Sequence, residues 1–275
     1  MVKDLTLPKY SNRLALFAAI VLVAIASFAL FAPHFSSYTY YEIDLLNKNQ
    51  MPSFTHWFGT DDLGRDIFIR MWYGARISLF VGIVAAAIDL VIGVIWGAIA
   101  ALSGGKIDEA MMRFIDVVSA IPSMLITISL MVLMGQGLHT IIIALSLLGW
   151  MTMARIVRSQ LLQLKSLEYV LAAKSLGASF SRILFKHLIP NALGPILVTL
   201  TLTIPTAIYT ESFLSYLGLG VQAPISSLGT MANEGLQALE YYPWRLLLPA
   251  GLISLITLSF NLLGDHLSQV YDVKQ

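Results

Sequence analysis

Residues 14–32 hold no charged side chain, and apolar runs of similar length recur at about 77–102, 114–134, 139–154, 196–217 and 246–263. About 20 apolar residues make a helix long enough to cross the roughly 30 Å hydrocarbon core of a bilayer. Backbone donors and acceptors in hydrocarbon must pair within the segment, which makes each run a helix. Only 12% of the chain is charged, 57% is hydrophobic and the mean hydropathy is +0.77. Soluble domains carry roughly 25% charged residues. The chain therefore reads as an all-α polytopic membrane protein with about six transmembrane helices. The first run exceeds the 7–15 or so apolar residues of a signal peptide core, so it is expected to remain as a span.

Charge orients the helices. Lys3, Lys9 and Arg13 precede the first span, Lys106 and Arg113 follow the second, and Lys274 lies in the tail. Arg155, Arg158, Lys165, Lys174, Arg182 and Lys186 crowd the segment 155–195 against the single acid Glu168. An excess of Lys and Arg between spans marks the cytoplasmic side, which places both termini there. Residues 1–72 form a first span with an outer segment; residues 73–275 form the main transmembrane domain, with a cytoplasmic loop at 159–193. Absence of Cys excludes disulfides and thiol chemistry in this chain. A net charge of +1 gives no bulk attraction for nucleic acid. No internal repeat is visible, which argues against a carrier built from inverted repeats.

The basic loop is patterned. Leu167, Val170, Leu171 and Lys174 recur at helical spacing, with Gly177 where a helix ends in the left-handed conformation. Ser179 suits the cap of a second short helix that Pro190 stops. Two short helices hinged at Gly177 and facing the cytoplasm make a docking element, or else an ordinary amphipathic helix at the interface. Ala172-Ala173, Gly177 and Ile189-Pro190 resemble the cytoplasmic coupling loop of binding-protein-dependent ABC importers. Leu171, His187 and Ile189 stand where that loop usually has Glu, Ile and Leu. The resemblance implies that Glu168, Tyr169, Ala172, Ala173, Lys174, Gly177, Ser179 and Pro190 meet an ATPase subunit.

The outer stretch His56-Trp57-Phe58-Gly59-Thr60-Asp61-Asp62-Leu63-Gly64-Arg65-Asp66 resembles peptide-class ABC permeases of the oligopeptide/dipeptide permease C type. So do Ser103-Gly104-Gly105 with Asp108, Arg113 and Asp116, then Ile121-Pro122, then 211–220. This implies the type I permease fold, with Trp57, Asp61, Asp62, Arg65 and Asp66 near the docking side of a binding protein. Read alone, the stretch is a packed cap: its acids can pair with Arg65, and Trp57 suits the bilayer interface. A metal site from His56, Asp61, Asp62 and Asp66 is disfavoured because Leu63 and Gly64 interrupt the alternation of a calcium loop.

Asp89 and Glu211 lie inside spans. A central Asp costs roughly 2.5–3.5 kcal/mol to insert, so each should face protein or water. With Ser212 they are candidates for a translocation path; the alternative is hydrogen bonding between helices. Asp116 is expected to pair with Arg113 one turn away. No phosphate loop, zinc-protease helix, serine elbow or dinucleotide fingerprint occurs. The expectation is a non-enzymatic transporter subunit without cofactor, multi-pass in the cell membrane and surrounded by lipid. By resemblance its partners are a second homologous permease, two ABC ATPases and an extracytoplasmic substrate-binding protein. The expected cargo is oligopeptide or dipeptide; nickel or another small solute is the alternative within the class. An ATP-independent channel or carrier is the alternative outside it.

Overall fold

The computed structural model describes residues 9–272; Lys3 and Lys274 lie outside the described residues. Among the described residues ten α-helices follow in order: α1 (Lys9–Phe35), α2 (Ile67–Ser103), α3 (Gly105–Ser119), α4 (Ser123–Met134), α5 (Leu138–Leu164), α6 (Glu168–Ser175), α7 (Phe180–Arg182), α8 (Ile189–Tyr216), α9 (Leu228–Gln237) and α10 (Trp244–Asp272). A π-helical turn, Ile183–Leu188, joins α7 to α8. Among the described residues the β-structure is a single antiparallel bridge between Thr60 and Asp66. Five helical stretches are long and apolar enough to cross a membrane, and α3 with α4 makes a sixth if the bent pair counts as one span.

Three boundaries differ from the sequence expectation, each for a local reason. The second span starts ten residues early, because the Asp66 carboxylate accepts the Ile69 N–H at 2.9 Å and nucleates the helix at Ile67. Arg70 and Arg76, which precede the apolar run at 77–102, are helical residues of α2. At about 1.5 Å per residue this 37-residue helix runs about 55 Å, well past the hydrocarbon. The third span is not one helix: α3 and α4 meet at 77°. Pro122 has no N–H to donate and pushes Ile121 out of the α region, which breaks the ladder. Pro190, expected to stop a helix, lies inside a continuous helical run from Phe180 to Tyr216. The π turn shifts the preceding bonds by one residue, with the Ile189 N–H reaching the Leu184 carbonyl.

The central contact is α2 against α5. Asp89, Gly93, Gly97 and Ala101 repeat every fourth residue along one buried ridge of α2. A Cβ on Gly97 would come within 2.6 Å of the Ala154 carbonyl oxygen, so only a glycine allows this approach. Small residues that let backbones close up are the usual means of packing helices where no hydrophobic force acts between them. A second core joins α1, α2, α8, α9 and α10 through Ile25, Ile67, Met71, Ile208, Leu228 and Ile256.

Pro33 interrupts α1 and leaves the Ala29 carbonyl without its usual donor. Arg76 of α2 fills the gap: its Nε donates to that oxygen at 3.0 Å and its Nη2 to the Leu30 oxygen at 2.9 Å. Arg76→Ala is expected to cost roughly 1–3 kcal/mol at this joint, the scale of leaving the buried Ala29 carbonyl unpaired. Thermal unfolding in detergent should show a lower midpoint for Arg76→Ala and a smaller drop for Arg76→Lys, which keeps one donor.

Candidate functional site

At one end of the bundle α5 delivers the chain into a knob made of α6, α7 and the π turn. Lys165 closes α5 and donates from Nζ to the Ala101 carbonyl at 2.8 Å, tying the exit to the end of α2. Glu168 opens α6 and Lys174 closes it, which matches the helix dipole at both ends. The Gly177 N–H donates to the Lys174 carbonyl and the Ala178 N–H to the Ala173 carbonyl, both at 3.0 Å. This paired ending is the Schellman arrangement, and it needs the φ of +79° that Gly177 adopts. Ser179 then accepts the Arg182 N–H and starts the next turn.

The knob has two faces. Underneath, Val170, Leu184 and Leu188 are buried against Val157 and Leu161 of α5 and Ala192 of α8. Outward, Leu171, Leu176, Phe180 and Phe185 are between 50% and 88% exposed, a far larger apolar display than a solvated turn carries. Glu168, Tyr169, Ala172, Lys174, Gly177, Ser179 and Pro190 are exposed alongside them, and Ala173 is half-buried. The helical spacing read from sequence is real. Its apolar members Leu167 and Leu171 nevertheless point away from the bundle, and Val170 alone of that set faces in. An exposed apolar face of this kind can bind a protein.

At the opposite end, residues 36–66 fold into a cap over α2, α9 and α10. Asp61 is buried beneath Arg65 and Arg70; Arg65 Nε donates to it at 2.7 Å, and an Arg70 Nη1 bond joins the same oxygen. Arg70, 2% exposed, also grips Glu234 of α9 with Nη1 at 2.8 Å and Nη2 at 3.1 Å. Arg245 of α10 reaches Asp62 at 2.7 Å and Asn49 at 2.9 Å. Asp66 bonds His56 Nδ1 at 2.8 Å while capping α2. Of the residues read as the binding-protein side, Trp57 and Asp62 are exposed, whereas Asp61, Arg65 and Asp66 are interior fasteners. Sequence reading missed Arg70, Glu234 and Arg245, whose partners lie up to 196 positions away.

Asp61, Asp62 and Glu234 lie close enough to share a cation. Arg65, Arg70 and Arg245 already engage them, so three positive charges stand where a metal would go. Burial by itself raises the Asp61 carboxyl, but Arg70 and Arg65 overcome this and hold it below its ordinary value. A lowered folded pKa gives stability that is full above the unfolded value of about 3.9 and is lost as pH falls through the folded one. Unfolding midpoints in detergent should therefore stay level down to about pH 4 from this group and fall below it.

Asp89 and Glu211, the two acids read within spans, are both interior. Asp89 presses its carboxylate onto Gly149 of α5, with Oδ1 left unpaired. Glu211, with no exposed surface, accepts from Ser78 at 2.9 Å, Ser215 at 2.8 Å and Ser212 at 3.4 Å. Ser227, the cap of α9, donates to Ser215 at 3.2 Å. Glu211 and Ser212 thus knot α2, α8 and α9 together, and Asp89 belongs to the α2–α5 seam. Asp116 pairs not with Arg113 but with Arg155 of α5 at 3.0 Å, because α3 packs on α5 there through Ile115 against Met151 and Ala154.

Residues 93–272 match the model of the family described as binding-protein-dependent transport system inner membrane component. Residues 10–52 match the N-terminal transmembrane domain of oligopeptide transport permease C. The chain is 59% identical over 272 residues to the oligopeptide transport system permease protein OppC of Bacillus subtilis, covering 99% of this chain and 89% of the relative. It is 53% identical over 264 residues to the dipeptide transport system permease protein DppC of the same organism, covering 96% and 82%. Among solved structures, an inward-facing MetNI methionine ABC transporter superposes with a TM-score of 0.62. That match has 19% identity and covers 74% of this chain and 96% of that one.

Proposed function

The chain belongs to the binding-protein-dependent transport system inner membrane component family, and from that membership we propose that it forms half of the translocation pathway of an ATP-driven importer of oligopeptides or dipeptides. The observation that carries this reading is the near full-length likeness to oligopeptide and dipeptide permeases. The protein is a multi-pass inner-membrane subunit. The remaining half of the pathway comes from a second homologous permease, the energy from two ABC ATPases, and the cargo from an extracytoplasmic binding protein.

Both termini and the α6–α8 knob face the cytoplasm. ATPase closure presses on Glu168, Tyr169, Ala172, Ala173 and Lys174, and the buried underside of the knob passes that push to α5 and α8. The ligand acts by biasing two packings of the bundle, not by chemistry in this chain. The capped outer end, with Trp57 and Asp62 at its surface, meets the binding protein.

The test is uptake of a labelled peptide into vesicles containing the complete complex and its receptor. Uptake that requires ATP and ignores an imposed proton gradient supports the reading. Uptake that follows the gradient and ignores ATP makes the chain an ion-coupled carrier instead.

A further inference from the structure

We propose that the α3–α4 break holds a passing peptide by its terminal carboxylate, with Arg155 as the receiving group and Asp116 as its companion. The inference rests on the peptide reading above and assigns that reading a site.

Ala120, Ile121 and Pro122 are all exposed at the break. Non-helical backbone interrupting an apolar run survives in a bilayer only where protein covers it or water fills a cavity beside it. Interrupted helices are, for that reason, where transporters place their cargo. α4 begins without a side-chain cap, with its Leu125 N–H turned back to the Pro122 carbonyl at 3.0 Å. A cavity of about 320 Å³ adjoins the break, lined by Ser119, Ser123, Thr152 and Arg155 together with Met151 and Leu148. Ligand pockets run from roughly 300 to 1,000 Å³, so this one takes the end of a peptide and not its whole length.

Two neighbouring arginines of α5 separate a structural pair from an available one. Arg158 closes on both oxygens of Asp108 through Nε and Nη2, and the Asp108 side chain is 12% exposed. Arg155 uses Nη2 alone among the described residues, donating to Asp116 at 3.0 Å and Ser119 at 3.2 Å. Its side chain is 45% exposed and that of Asp116 61%. A guanidinium with free donors beside a cavity is built for two-point binding of a carboxylate. Asp116 is then left to accept a peptide N–H or ammonium. Such a site reads what every peptide shares and ignores side chains.

The experiment uses the complete complex with its receptor in vesicles and compares one tripeptide with its C-terminal amide. Arg155→Gln should raise the concentration for half-maximal uptake of the free acid about tenfold or more, the scale of a lost charge-assisted hydrogen bond, and leave the amide unchanged. Equal losses for both peptides, or no change for either, overturn the assignment. In parallel, Ser123→Cys gives a single thiol in a chain that has none. Peptide supplied during turnover should shield that thiol from a water-soluble maleimide, and undiminished labelling overturns the site even if Arg155→Gln fails to assemble. Failure of the wild-type complex to take up any peptide overturns the underlying reading as well.

Discussion

Arg70→Met is expected to unfold the outer end of the molecule. The substitution removes the guanidinium that Asp61 and Glu234 share and leaves the buried Asp61 carboxylate to Arg65 alone. Breaking one side of a buried ion pair costs roughly 3–5 kcal/mol, several times the worth of a surface pair. α2 would lose its ion pair to α9, and Glu234 would keep only Arg65 Nη2 at 3.4 Å. Expression as a folded species in mild detergent should fall sharply, and any remaining protein should unfold well below wild type. Pairing Arg70→Met with Asp61→Asn should recover part of the loss, because the second change removes the stranded charge. A melting curve of Arg70→Met indistinguishable from wild type contradicts the fastening role.

Gly177→Pro is expected to abolish peptide uptake while leaving the bundle intact. Proline fixes φ near −65°, whereas Gly177 sits at +79° and donates its N–H to Lys174. Both features of the α6 ending are lost, so the exposed face of α6 is re-aimed relative to α7. Leu184 and Leu188, packed against Val157 and Leu161 of α5 and Ala192 of α8, lie beyond that turn and keep their places. Membrane insertion and the melting midpoint should therefore stay near wild type while ATP-driven uptake falls at least tenfold. Gly177→Asn, whose side chain tolerates the left-handed region, should retain more uptake than the proline variant. Normal uptake with Gly177→Pro contradicts the transmitting role of the knob.

The long apolar stretches were legible because each run encodes its own helix: 14–32 needs no partner to be recognised as a span. Gly177 and Ser179 were legible for the same local reason, since a cap depends on its immediate neighbours. What escaped were features set by distant residues. Nothing near Arg70 announces Glu234, and nothing near Arg76 announces the carbonyl that Pro33 leaves open. Ile121-Pro122 carried a readable signal for the α3–α4 break, but the predominantly apolar composition of 114–134 outweighed it. Asp89 and Glu211 could be flagged as costly in a membrane, yet their neighbours Gly149 and Ser78 come from other helices. The outward turn of Leu171 was hidden because helical spacing gives a face and not its direction.

The most direct measurement is a cross-link at the knob. The chain lacks cysteine, so Ala172→Cys offers one reactive position on the exposed side of α6, to be paired with single cysteines placed along the surface of a co-purified ATPase. A disulfide that joins the two chains, and whose yield changes when ATP is added, is the expected result. Absence of any cross-link from position 172, in a complex that still drives peptide uptake with ATP, would contradict it.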